Sequence, residues 1–137
     1  MNNPKKITTD IDIRFKDIDL MGHVNNAVFF TYFEEGRKMF FHTLFNTAEP
    51  GDFNFILGHV SCDFLRPVKL NNSIRVQLWI SEAGGKKFGI KYIVADKNDE
   101  SIVYAKGYSL QVFFDYKKNK SAPTPKTFLE KISDYKE

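Results

Sequence analysis

The chain has 137 residues, 42% hydrophobic and 27% charged, a balance that suits one globular domain (1–137) and excludes a disordered polypeptide. A net charge of +3 is too slight to argue for nucleic-acid binding, and no apolar run reaches the roughly 18 residues that span a bilayer. A lone cysteine leaves no disulfide framework or Cys-rich metal site, and the N-terminus lacks the apolar stretch of a signal peptide, so the expectation is a soluble cytoplasmic protein with no nucleic-acid or membrane partner.

Ile7, Ile11, Ile13 and Phe15 alternate with polar residues, the period of a half-buried strand. Asp17 to Asn26 is polar around Gly22 and reads as a loop or tight turn. From Asn26 to Phe45 the pattern is helical. Thr31, Glu34, Glu35, Lys38 and His42 fall on one narrow wet stripe, and Phe, Tyr, Met, Val and Leu cover most of the remainder. Asn25 or Asn26 can cap the start of this helix.

After a turn-rich stretch from Asn46 to Asn54, strands follow. Phe55 to Phe64 is the first, with Pro67 and Asn71-Asn72 as the break. Ile74, Val76, Leu78 and Ile80 alternate with polar residues, Gly84-Gly85 marks a hairpin, and Phe88, Ile90, Tyr92 and Val94 form its second arm. Another turn spans Asp96 to Glu100. Ile102 to Phe114 is apolar on both parities, which predicts a strand covered on both faces. Residues 117–137 form a Lys-rich tail in which Phe128, Leu129 and Ile132 support a short helix.

One strand, one helix that is apolar nearly all round, then four strands describe an α+β domain with a five-stranded sheet curved about the helix. Fourteen Phe and six Tyr can simply fill such a core or can leave a surplus of ring surface. The surplus is available to pack a subunit interface or line an apolar tunnel, and a second copy would cover the sheet edge.

The chemistry concentrates between Arg14 and Asn26 and again from Tyr32 to Arg37. An acid pair (Asp17, Asp19), a histidine (His23) and two carboxamides (Asn25, Asn26) precede a helix N-terminus, where unpaired amides and the positive dipole end favour developing negative charge. A carbonyl oxygen lodged there would be polarised. Asp19 could attack its carbon or activate a water that does, while His23 and Asn25 hold the substrate or orient that water. This set describes acyl transfer to water and calls for no metal or cofactor.

The run RFKDIDLMGHVNN, followed by YFEEGR and later by DFLRPVKL at Asp63 to Leu70, resembles the hotdog-fold acyl-CoA thioesterases of the 4-hydroxybenzoyl-CoA thioesterase type, in their HVNN subgroup. The resemblance implies a hotdog fold, a curved antiparallel five-stranded sheet wrapped around one long central helix. It further implies a homodimer or homotetramer with active sites between subunits, and an acyl-CoA substrate hydrolysed to free acid and CoA. The family's catalytic carboxylate falls on Asp19, as nucleophile or general base. His23 and Asn25 fall on active-site positions, and Glu34 and Arg37 on the family's helix Glu and Arg. Plant acyl-ACP thioesterases of similar pattern carry an active-site Asn where this chain has Met21.

Each of these residues has a plainer reading. Asp19 serves equally as an exposed turn acid and His23 as a structural hydrogen-bonding residue, while either Asn can be only a cap. Asn25 is assigned to the catalytic set and Asn26 to substrate binding. Glu34 and Arg37, three apart, can pair on the helix and anchor the Asp19 loop; Glu34 is also assigned to substrate binding, with a role as attacking acid the alternative. Cys62 reads as a small buried hydrophobe and His59 as a strand residue, with contact to the acyl pocket as its alternative. Lys86 and Lys87 flank a hairpin where the family often places basic residues, so they are candidates for contact with CoA phosphates. The rival functions are a non-catalytic acyl-CoA or acyl-carrier-protein binding module, an acyl-ACP thioesterase, a hotdog hydratase, and a nucleic-acid binder using the Lys-rich tail.

Overall fold

The computed structural model describes residues 3–46 and 54–137. Most of the turn-rich stretch read between Asn46 and Asn54 therefore lies outside the described residues. The elements in chain order are β1 (Ile7–Ile11), α1 (Val28–Phe45), β2 (Phe55–Phe64), β3 (Ile74–Gly84), β4 (Lys87–Asp96), β5 (Val103–Asp115), β6 (Lys120–Ser121) and α2 (Lys126–Ile132). The strand–helix–strands order is as the periodicity predicts, with β6 as a two-residue addition.

All pairings of named strands are antiparallel, in the order β1-β3-β4-β5-β2, with β6 on the end of β5. The Gly84-Gly85 hairpin joins β3 to β4 through two residues of positive φ, 155° and 59°. The alternating residues Ile74, Val76, Leu78 and Ile80 of β3 and Phe88, Ile90, Tyr92 and Val94 of β4 are buried beneath α1. Gly36 lets α1 approach the sheet. A Cβ there would stand 3.0 Å from Leu78 Cδ2 and 3.1 Å from Val76 Cγ1.

Three local expectations are corrected. The first strand ends at Ile11, and Phe15 enters a short 3-10 turn (Phe15–Asp17), where it is 84% exposed. The ladder stops where its partner β3 begins, with Ile11 opposite Ile74, and the Arg14 N–H beyond it turns to Asp17 Oδ2 at 3.0 Å. Secondly, within the single chain β5 is covered mainly on its inner face. Ser109, Gln111 and Phe113 are buried toward α1, whereas Tyr108, Leu110 and Val112 on the outer face are only half-buried. Its inner face is also partly polar.

Thirdly, α1 begins at Val28 without a side-chain cap. Asn25 Oδ1 accepts instead from the Ala27 N–H at 2.9 Å, an Asx turn before the helix. The first helical amides are occupied by carbonyls three residues back: Val28 on Asn25 (2.9 Å), Phe29 on Asn26 (3.2 Å) and Phe30 on Ala27 (3.3 Å). At its other end α1 stops on Asn46 in the left-handed region, φ 51°.

Candidate active site

Residues 17–25 form a narrow arch. Asn25 N–H donates to the Asp17 carbonyl (2.8 Å), Ile18 and Val24 form an antiparallel bridge, and Asp19 N–H donates to the His23 carbonyl (2.8 Å). The sequence makes this tip without strain, because Gly22 takes the left-handed φ of 81°. Val24 N–H, on the Val68 carbonyl at 2.7 Å, ties the arch to the segment before β3.

Asp19 stands at the last rung below the tip and is exposed. Its Oδ1 accepts from Met21 N–H (2.8 Å) and His23 N–H (3.3 Å), and its Oδ2 has no partner among the described residues. One oxygen thus fixes the carboxylate and the other is available. The His23 side chain is half-buried and also unpartnered among the described residues. Asn26 is exposed, and neither its carboxamide nor its backbone N–H is engaged by a described residue. The open amide nearest α1 is therefore that of Asn26, not those of the first helical turn.

The remaining sequence candidates lie elsewhere. Glu34 is exposed and does not pair with Arg37; the Arg37 Nη1–H donates to Tyr92 Oη at 3.0 Å. The arch is anchored by a different pair, since Tyr32 of α1 donates its hydroxyl to Asp17 Oδ2 at 2.8 Å. Lys86 and Lys87 are exposed at the β3–β4 hairpin, near the C-terminal end of α1. From Lys87 to Val94, which is level with the arch end of the sheet, β4 runs roughly 23 Å at the usual rise of a strand. Within one chain they do not meet Asp19. His59 lies on the outer face, its ring 6.2 Å from that of Tyr108, away from α1 and the apolar interior. Cys62 is half-buried on the inner face opposite Gly107, and burial, with the Asp63 carboxylate, pushes its thiol up to about 11.

Two polar features escape the linear pattern. One is the Asp17–Tyr32 bond, hidden because Tyr32 reads as one of many rings on α1. The other is a chain from Arg37 through Tyr92 and Ser109 to Gln111, whose Nε2 donates to the Phe88 carbonyl at 3.0 Å. The polar letters Ser109 and Gln111 at core positions of β5 were its available signal. Among the described residues no three His, Cys, Asp or Glu side chains converge as a metal-binding group.

The sequence matches the family described as the thioesterase-like superfamily over residues 13–132. It is 30% identical over 83 residues to the uncharacterised protein YsmA of Bacillus subtilis (strain 168), an alignment covering 61% of this chain and 56% of that protein, little more than half its length. Among solved structures, a thioesterase complexed with coenzyme A and Zn from Thermus thermophilus is 30% identical. Its TM-score is 0.79, with 91% of this chain and 90% of that one covered. A predicted thioesterase from Bacillus stearothermophilus is 22% identical with a TM-score of 0.88, covering 97% and 98% of the two chains, which speaks for the fold: an antiparallel sheet with one long helix packed on it, the hotdog arrangement.

Proposed function

Because this chain belongs to the thioesterase-like superfamily, we propose that it hydrolyses an acyl-CoA thioester to a free carboxylic acid and CoA. The observation that carries the reading is the state of Asp19. One oxygen is held by two amides of a tight arch, and the other is unengaged among the described residues on an exposed side chain. A thioester needs little more. Either Asp19 Oδ2 takes a proton from water as that water attacks the carbonyl carbon, or it attacks the carbon itself and water opens the resulting mixed anhydride. In both routes the C–S bond breaks and the CoA sulfur leaves as thiolate, to be protonated. The Asn26 N–H is the donor best suited to the developing oxyanion, with His23 and Asn25 beside it to orient water or substrate. The coenzyme A bound by the Thermus thermophilus relative supports CoA as the carrier.

The same reading makes the working unit a homodimer or homotetramer. Leu20 and Met21 at the arch tip are 105% and 77% exposed, and Phe64 at the end of β2 with Leu65 and Leu70 after it add 41%, 53% and 45%. Apolar side chains this open beside a functional carboxylate favour a second copy closing over them. β2 is moreover an edge strand of ten residues with unpaired backbone groups. In such an assembly the exposed Glu34 and the hairpin lysines Lys86 and Lys87 would meet a neighbouring subunit's substrate, the lysines through CoA phosphates. A reducing compartment, the cytoplasm, suits the single unpaired Cys62.

The test is thiol release from a panel of short, long and aromatic acyl-CoA thioesters, with acyl-carrier-protein thioesters in parallel. Turnover on CoA substrates that falls about a hundredfold or more in Asp19→Asn is the expected result. Saturable binding without thiol release would make the protein a sensor of these ligands, and wild-type turnover in Asp19→Asn would remove Asp19 from the chemistry.

A further inference from the structure

We propose that Asp17 and Tyr32 form a positioning lock that sets the angle of the Asp19 arch against α1. This inference rests on the hydrolytic reading of Asp19 and adds residues outside the HVNN string. The arch has three rungs, 17 with 25, 18 with 24 and 19 with 23, and Asp17 and Asp19 are its outer two acids. Asn25 bonds toward the helix start, its carbonyl accepting from the Val28 N–H and its Oδ1 from the Ala27 N–H, but the Asp17 side of the arch needs a separate tie to α1. The Tyr32 hydroxyl makes that tie, reaching from the second turn of α1 to Asp17 Oδ2 at 2.8 Å, and the Arg14 N–H binds the same oxygen at 3.0 Å. One carboxylate oxygen therefore gathers the segment that follows β1, the base of the arch and the helix.

The location is informative. Asp17 is 8% exposed and Tyr32 3%, and no lysine or arginine nitrogen lies within 4 Å of the Asp17 carboxylate among the described residues. A buried carboxylate with no cation in direct contact is costly, and an apolar pair of similar size would hold two elements together with a smaller penalty. What an apolar pair lacks is direction. Hydrogen bonds to a single oxygen fix the rotation of the arch, and a misplacement of about 1 Å in a reacting group is enough to slow an enzyme about a hundredfold. Burial, reinforced by the Asp17 carboxylate, holds the Tyr32 hydroxyl well above the usual tyrosine range, so it stays a donor across physiological pH.

The use of one oxygen makes the lock testable. In Asp17→Asn the carboxamide oxygen can still accept both bonds, whereas Asp17→Ala removes both and Tyr32→Phe removes only the helix tie. The experiment measures kcat, KM and thermal midpoint for these three, for Asp19→Asn, and for Tyr32→Phe combined with Asp19→Asn, on the best acyl-CoA of the panel. The expected result is a kcat lowered about tenfold in Tyr32→Phe with KM within twofold, and a larger loss in Asp17→Ala that Asp17→Asn recovers in part. The double variant should turn over no more slowly than Asp19→Asn alone, because the lock acts through Asp19. A wild-type kcat in Tyr32→Phe, or the same loss whether residue 19 is Asp or Asn, overturns the lock while leaving the hydrolytic reading intact. Full turnover in Asp19→Asn instead overturns that reading, and the lock with it. Should Tyr32→Phe fail to fold, partial recovery in Asp17→Asn relative to Asp17→Ala decides the question, and equal impairment of the two counts against the lock.

Discussion

The two ends of α1 are built on opposite principles. At its C-terminal end Phe41, Phe55, Phe88, Phe113 and Phe128 interlock, with ring centroids 4.6 to 6.4 Å apart, and almost no polar group takes part. At its N-terminal end a polar arch is held by backbone rungs and the Asp17–Tyr32 bond, and its tip is open to solvent. Ring packing is non-directional and accumulates stability with area, whereas hydrogen bonds add little net stability and specify orientation. The contrast assigns one end to holding the fold and the other to presenting a carboxylate.

Breaking the aromatic end should give the largest effect. Phe88 is fully buried among four rings, so Phe88→Ala is expected to cost about 3–5 kcal/mol, read by denaturant or thermal unfolding, with turnover per folded molecule retained. Asp19→Asn should show the mirror image. A loss of about a hundredfold in kcat, equivalent to about 2.7 kcal/mol of barrier, should accompany an unchanged melting temperature. If the two variants instead lost stability and activity in parallel, the division of labour would be wrong.

Between the ends, Gly107 supports Phe33. A Cβ there would overlap the Phe33 ring, which is fully buried and stacked on Tyr92 at 4.4 Å. Gly107→Ala should therefore destabilise by about 1–3 kcal/mol, as overpacking does, measurable as a lowered unfolding midpoint at constant m-value.

The smallest effect concerns Cys62. Its thiol is pushed up to about 11 from an ordinary 9.0, so the folded state retains a proton that the unfolded chain releases. This contribution is complete below pH 9 and fades as pH rises toward 11, giving a slight fall in stability across that window. Alkylation of the native protein should keep accelerating about tenfold per pH unit from about pH 8 to 10, and a rate that levels off near pH 9 would contradict the buried setting.

Much of this was legible from residue order. Alternation located β3 and β4 to within a few residues, β2 lies at the Phe55 to Phe64 stretch read as a strand, the Gly84-Gly85 pair located the hairpin, and the wet stripe from Thr31 to His42 located the exposed edge of α1. The arch was legible as a turn because Gly22 permits a backbone that few other residues adopt. Phe15 was misread because alternation continues past Ile11, whereas the partner strand β3 begins at Ile74 opposite Ile11 and the chain beyond it turns, the Asp17 side chain taking the Arg14 amide.

Sequence alone determined what depends on neighbours within a few positions: element types, the turn chemistry, and Asp19 close to a helix start. Only the tertiary structure decided the partners. Tyr32 rather than Arg37 anchors the arch, Arg37 meets Tyr92 rather than Glu34, and Lys86 and Lys87 lie at the far end of the sheet from Asp19. The reason is geometric. Periodicity gives the face on which a side chain lies, but what it touches depends on strand order and register, here β1-β3-β4-β5-β2, which joins residues far apart along the chain.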